Sequence, residues 1–436
     1  MKMKMKTVFA AFLAAVSVDA AVIEQVIVRQ QWPWSTDVKV EYKLSGVTSP
    51  VDISVKAFNG NVELDSSRLA ASMTGDRFGI EEDGVGTIII NPVKAFGTAK
   101  VALANFKVKL SVTESAENIN EVLYKIIDLE PDANGKFSVV DVRRKDFFNG
   151  LYGSFETNYS AFGSGGWKTE LKDVLVWTGV TNGTLYKTSK IAMRKISAKN
   201  YGWWVMGDDS VDSAKPAHNV NLTEDYFLSV FEITQAQLHK LTEKYGANYT
   251  DVDNHEIMPA FGRWDMVFGR PNTWPTDLHN VDMNHFFAAL RNGTGNSIAF
   301  DFPTEAQWEF ACRAGTTGRF YTGLADNTDQ AKLGYMMNAG NDASAPSPVG
   351  SYLPNAFGLY DMYSNASEWC LDYYSAYGSK AVENPIGPET GEKRVTRGAG
   401  FTAVYGAKAE ATVRRSEVKA TAGSNLGCCR LWCPGE

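Results

Sequence analysis

Asn355-Ala-Phe-Gly-Leu-Tyr-Asp-Met-Tyr-Ser-Asn-Ala-Ser-Glu-Trp-Cys370 decides how the rest of the chain is read. Its apolar residues recur neither at the helical period of 3.6 nor at the strand period of two. Turn formers such as Asn355, Gly358, Asp361 and Asn365 alternate with the rings of Phe357, Tyr360, Tyr363 and Trp369. The stretch predicts an irregular loop with few regular hydrogen bonds to hold its backbone.

Three more motifs stand around it. Asp301-Phe-Pro-Thr-Glu-Ala-Gln-Trp-Glu-Phe-Ala-Cys-Arg-Ala-Gly315 lies upstream, and Arg394-Val-Thr-Arg-Gly-Ala-Gly-Phe401 and Gly427-Cys-Cys-Arg430 lie downstream. Together, in this order and spacing, the four resemble the formylglycine-generating enzymes, or sulfatase-modifying factors, over residues 190–436. The resemblance implies an irregular, C-type-lectin-related fold. The fold class expected for the whole chain is α+β, with this domain preceded by an all-β sandwich region.

A chain of 436 residues exceeds one ordinary core, so two or three domains are expected. An apolar fraction of 44% supplies packed cores, and a charged fraction of 21% shows no disordered composition. The net charge of -7, with no Lys or Arg block beyond the N-terminus, argues against a nucleic acid partner. Lys2, Lys4 and Lys6, the apolar run over residues 7–18 and the small residues Ala20 and Ala21 read as a secretory signal peptide over residues 1–20. An apolar run of about 12 residues falls short of the ~20 that cross a bilayer, and no other segment reads as a membrane span. The expected location is therefore outside the cytoplasm: secreted, periplasmic or at the cell surface, with a bacterial source.

In residues 22–116, Asp37-Val-Lys-Val-Glu-Tyr-Lys-Leu44 and Val51-Asp-Ile-Ser-Val-Lys-Ala-Phe58 alternate at period two, with Gly46, Pro50 and Asn59-Gly60 as turns. An immunoglobulin-like or fibronectin-like sandwich is expected there. Residues 117–189 read as further strands, belonging either to a second sandwich or to the first. In residues 190–436 the periodicity predicts a helix after Thr234, its N-cap, and a second beginning at Pro303; the remainder reads as loop.

The resemblance also implies chemistry. Formylglycine-generating enzymes oxidise a sulfatase cysteine with copper and dioxygen, and soft thiolates select Cu(I). The family's cysteine pair follows its Arg-Gly-Gly-Ser-Phe motif. Alignment on Arg397-Gly-Ala-Gly-Phe401 puts Ala403 and Lys408 at the two positions, and no cysteine stands between Cys370 and Cys428. The motif's serine is Gly400, and the tryptophan of the family's Asn-x-Trp-Glu-Trp loop is Ser367. No catalytic residue is assigned, and bound copper is not expected.

Calcium is the expected cofactor. The family's loop site carries over to Asp361, the carbonyls of Ser364 and Ala366, and Glu368, a hard-oxygen set of the kind Ca²⁺ accepts. A second family site would start at Asn338 and Ala339. The bland alternative has Asp361 and Glu368 capping turns and pairing with Arg397 or Arg430. Cys312, Cys370, Cys428, Cys429 and Cys433 allow two disulfides at most. No His-Glu-x-x-His, nucleophile elbow, Walker loop or dinucleotide fingerprint occurs. Glu305 and Glu309, one helical turn apart, read as an arginine-paired or solvated face. The expected function is a calcium-stabilised binding or adhesion module for a peptide, protein or carbohydrate. An oxidase acting on a sulfatase is the alternative. Trp203, Trp204, Trp264, Trp274 and Tyr373 could stack on sugar rings or belong to the core.

Overall fold

The computed structural model describes residues 8–9, 21–157, 174–244, 254–265, 267–269, 281, 285–318, 345–401, 415–419 and 427–435. Two compact units divide the chain. The first comprises residues 1–122 with 143–153, and the second residues 123–142 with 154–436.

In the first unit the period-two stretches form antiparallel strands. Val38–Ser45 alternates buried and accessible residues, pairing with Val22–Gln30 on one side and Gly84–Ile90 on the other. Val51–Asn59 pairs with Phe106–Glu114 in a second sheet. Val38, Val40, Tyr42, Ile88 and Ile90 from the first sheet and Ile53, Ala57 and Val108 from the second share one buried cluster. Gly86 is forced by packing, because a Cβ there would sit 2.2 Å from the Tyr42 ring. That ring is fixed by its hydroxyl, which donates to the Asp76 carbonyl at 2.7 Å.

The second unit is built on a sheet ordered Ser138–Arg143, Val122–Asp128, Lys190–Ile196, Tyr226–Ser229 and Trp432–Pro434. Residues 117–189 are thereby shared. Val122–Asp128 pairs with Lys190–Ile196, with Ile127 opposite Ile191, while residues 143–153 return to the first unit. Val122–Asp128 is almost wholly buried, so its composition carries no alternation to mark the sheet it joins.

Helices are few and short. Gln235–Thr242 is capped by Thr234, whose hydroxyl accepts from the Gln237 amide while Gln237 returns the bond. Glu305–Arg313 carries the same box between Thr304 and Gln307. Its N-cap is Thr304, so Pro303 precedes the helix instead of entering its first turn. A third helix, Phe286–Gly293, falls where the sequence reads as loop. His285 provides no side-chain cap, so the usual start signal is missing there. Glu368–Tyr373, which begins inside the organising loop, is a strand buried at all six positions. Burial on both faces removes the alternation that would have announced it. Among the described residues, no helix is long and apolar enough to cross a membrane.

Candidate functional site

The four motifs converge on two buried centres. In the first, the Glu305–Arg313 helix presents Glu305 and Glu309 to Arg397, at the end of strand Lys393–Arg397. Arg397 donates to Glu305 at 3.0 Å and to Glu309 at 2.6 Å, and Arg313 holds the other Glu309 oxygen at 2.7 Å. That oxygen also accepts the Gly207 amide at 2.9 Å. Burial pushes the Glu309 carboxyl up, but Arg313 and Arg397 outweigh it and hold the group below its ordinary range. The pair of carboxylates spaced for acid-base work is thus spent on arginines, as the bland reading of the sequence had it.

The second centre lies under residues 355–370. Asn355 replaces missing regular structure with four bonds. Its amide donates to the carbonyls of Ala311 and Cys312 at 2.7 and 3.2 Å, satisfying the end of the helix. Its oxygen accepts from the Phe357 and Leu359 amides. Arg430 clamps Glu368 with bonds of 2.7 to 3.0 Å and donates to the carbonyls of Ser229, Val230 and Tyr360. The Trp308 indole donates to Glu368 at 2.5 Å. Asp361 sits at φ +62 and Asn365 at φ +85, left-handed conformations that the surrounding bonds must hold in place.

Sequence reasoning missed a third carboxyl here. Glu232 is fully buried and accepts from the Asn365 side chain at 2.8 Å and the Ala366 amide at 2.9 Å. Burial first, then Asp361 and Glu368, push it well above the ordinary carboxylate range. Its signal was present: an acid inside the apolar run Phe227-Leu-Ser-Val-Phe-Glu-Ile233 needs buried partners. Burial likewise pushes Asp361 up to about 6, against the Gly350 amide, Arg430 and Lys187.

These facts test the residues against calcium. One Asp361 oxygen accepts the Gly350 amide at 2.5 Å; the other is buried with no hydrogen-bond partner among the described residues. That oxygen suits a cation. Glu368 suits it less, because both its oxygens already face Arg430 or Trp308. Ser364 and Ala366 lie in the same buried turn, whereas Asn338 and Ala339 lie outside the described residues. Among the described residues, no three His, Cys, Asp or Glu side chains form a metal-binding group.

Ala403 and Lys408, the positions at which the resemblance would place the copper cysteines, lie outside the described residues. Gly400 and Ser367 do come together, since a Cβ on Gly400 would stand 3.7 Å from the Ser367 hydroxyl. All five cysteines are buried and none is joined in a disulfide. Cys428 lies 3.6 Å from the Ile233 carbonyl, and Cys433 is 4.0 Å from the Met193 sulfur. Burial pushes the Cys370, Cys428 and Cys429 thiols well up, which disfavours the thiolate a soft metal needs. Of the rings considered as sugar platforms, Trp264 and Tyr373 are core residues that both pack against the Arg394 guanidinium. Trp204 is buried, Trp203 is half exposed, and Trp274 lies outside the described residues.

This scaffold is a recognised one. Residues 185–431 match the Sulfatase-modifying factor enzyme 1-like domain, and the chain belongs to that family. It is 33% identical over 186 residues to the formylglycine-generating enzyme of Streptomyces coelicolor, covering 40% of this chain and 56% of that enzyme. The formylglycine-generating enzyme of Bos taurus is 25% identical over 273 residues, 52% of this chain and 71% of the enzyme. The serine/threonine-protein kinase Pkn1 of Chlamydia trachomatis is 33% identical over 198 residues, 44% of this chain and 30% of the kinase. The chain thus spans only about a third to a little over half of the first two curated relatives it matches at 33% identity. Among solved structures, Treponema denticola variable protein 1 is 22% identical with a TM-score of 0.44, covering 56% of this chain and 96% of that one.

Proposed function

We propose that this chain is an exported, calcium-stabilised binding or adhesion module with a sulfatase-modifying-factor scaffold and no copper oxidase activity. The observation that carries this reading is how the four motifs are used: among the described residues, their glutamates are engaged in holding the scaffold, and Asp361 keeps a buried oxygen without a hydrogen-bond partner. Glu305, Glu309 and Glu368 are paired with arginines, and the thiols are buried. The family's cysteine positions are occupied by Ala403 and Lys408. Loops held on such a frame are where binding residues concentrate.

Calcium would be held by Asp361 with the carbonyls of Ser364 and Ala366, and by Glu368 in competition with Arg430. It would supply positive charge to a loop whose acids outnumber its arginines. The expected outcome is a melting temperature that rises with added Ca²⁺ in the wild-type chain and does not respond in Asp361→Asn. A melting temperature indifferent to both Ca²⁺ and chelator sinks the calcium assignment.

The alternative is an oxidase with an atypical site, favoured by the 33% identity to the Streptomyces enzyme. It is tested with a Cys-x-Pro-x-Arg peptide, Cu(I) and oxygen, followed by mass spectrometry, with that enzyme run alongside. We expect the peptide unmodified by this chain and converted by the control. Conversion by both overturns the binding-module reading.

A further inference from the structure

We propose that the cleft lined by Tyr201, Trp203, Trp204, Phe310, Thr316 and Thr317 binds a neutral carbohydrate, one sugar ring of a larger glycan. The proposal rests on the binding-module reading and gives it a site and a ligand class.

The backbone puts the platform there. Trp204–Met206 is an edge strand of a three-stranded sheet, and its inward residues Trp204 and Met206 are buried in the core of the second unit. The alternation sends Trp203 and Val205 outward, and they are 52% and 55% exposed; Tyr201, just ahead of the strand, is 45% exposed. Three large apolar side chains at every second position on a solvent face is the reverse of what an edge strand needs for solubility. An exposed apolar patch of this kind marks an interaction site.

The rings are not equivalent. Tyr201 packs edge-on against Phe310, with centroids 5.0 Å apart, and Trp204 lies 5.5 Å from the same ring. Trp203 has no ring partner among the described residues, which leaves its indole face open to a ligand. The cleft beside it holds about 270 Å³. Pockets that enclose drug-sized molecules run to roughly 300–1,000 Å³, so this one takes a small group.

Charge and polarity select the class. Arg313 is the only charged side chain lining the cleft among the described residues, and its guanidinium is spent. It holds Glu309 at 2.7 Å and donates to the carbonyls of Gly207, Thr317 and Gly318. An anionic or cationic ligand therefore finds no free counter-charge. In the same lining, the Thr316 hydroxyl donates to the Arg313 carbonyl at 2.8 Å and keeps its acceptor capacity, and Thr317 is exposed. Aromatic rings and neutral hydroxyls lining one cleft match a pyranose, which offers C–H faces and hydroxyls around its edge.

The test is an array of neutral glycans, anionic glycans and peptides probed with the purified full chain. It is followed by calorimetry on the best binder with wild type, Trp203→Ala and Val205→Lys. Both substitutions fall on solvent-facing side chains, so circular dichroism and melting temperature should stay at wild-type values. The expected result is a neutral glycan whose affinity falls at least about ten-fold in both variants. A neutral glycan bound equally well by both variants overturns this site while leaving the binding-module reading intact. A peptide bound in its place, and lost in Trp203→Ala, overturns the carbohydrate class. No binding on any array overturns both this proposal and the reading it rests on.

Discussion

The two arginine-carboxylate centres of the second unit use the same chemistry with different charge balance. Around Arg397, two acids meet two arginines: Glu305 and Glu309 against Arg397 and Arg313. Around Arg430, three acids, Glu232, Asp361 and Glu368, meet that one arginine, with the buried Lys187 nearby. In the balanced centre Glu309 is held below its ordinary range, and in the acid-rich centre Glu232 and Asp361 are pushed above theirs. Burial penalises every charge, and only a matched counter-charge reverses the sign. In the balanced centre acids and arginines match in number, whereas the acid-rich one carries more carboxyls than arginines.

The sharpest way to break the comparison is to remove each arginine. Arg430→Met leaves Glu368 buried beside two further acids and strips bonds from the carbonyls of Ser229, Val230 and Tyr360. It should cost about 3–5 kcal/mol in urea unfolding, the range for breaking a buried pair from one side. Arg397→Met should cost less, because Arg313 still holds Glu309. An equal or larger loss in Arg397→Met would show that charge balance does not distinguish the centres.

A smaller effect probes the packing that aims Arg430. A Cβ on Gly427 would lie 2.8 Å from the Trp369 indole nitrogen, which donates to the Gly262 carbonyl at 3.0 Å. Gly427→Ala should cost about 1–3 kcal/mol by the same measurement, as overpacking does. A neutral result would mean the closing segment shifts freely.

The smallest effect sharpens the sign of the electrostatics. Because the folded-state pKa of Glu309 lies below its unfolded value, 4.5 in the ordinary range, its contribution to stability is fully present above that value. It is lost as pH falls through the lower folded-state value. Glu309→Gln should therefore flatten the acid limb of a stability profile measured below about pH 4.5. An unchanged slope would remove Glu309 as the group that titrates.

Much of this was legible in the chain. Thr234 and Thr304 announced their helices because a capping box is a local device, written within four residues. The strands of the first unit were legible because one face is buried and the other is not. The helix Phe286–Gly293 and the strand Glu368–Tyr373 were hidden, one by an absent cap and the other by burial on both faces. In the candidate site, Asp361 and Glu368 were named because the family resemblance implies them, but Glu232 was not, standing more than a hundred residues away.

The sequence alone determined the family, through four motifs in order, and the absence of any cysteine between Cys370 and Cys428. Tertiary structure alone decided that Glu368 is spent on Arg430, that Glu232 joins Asp361, and that Val122–Asp128 completes the sheet of the second unit. It also separated Trp203 from Trp204, neighbours in sequence with opposite fates. The physical reason is the same throughout: a motif is fixed by local geometry, but the partner and solvent exposure of a side chain depend on segments that meet only when the chain folds.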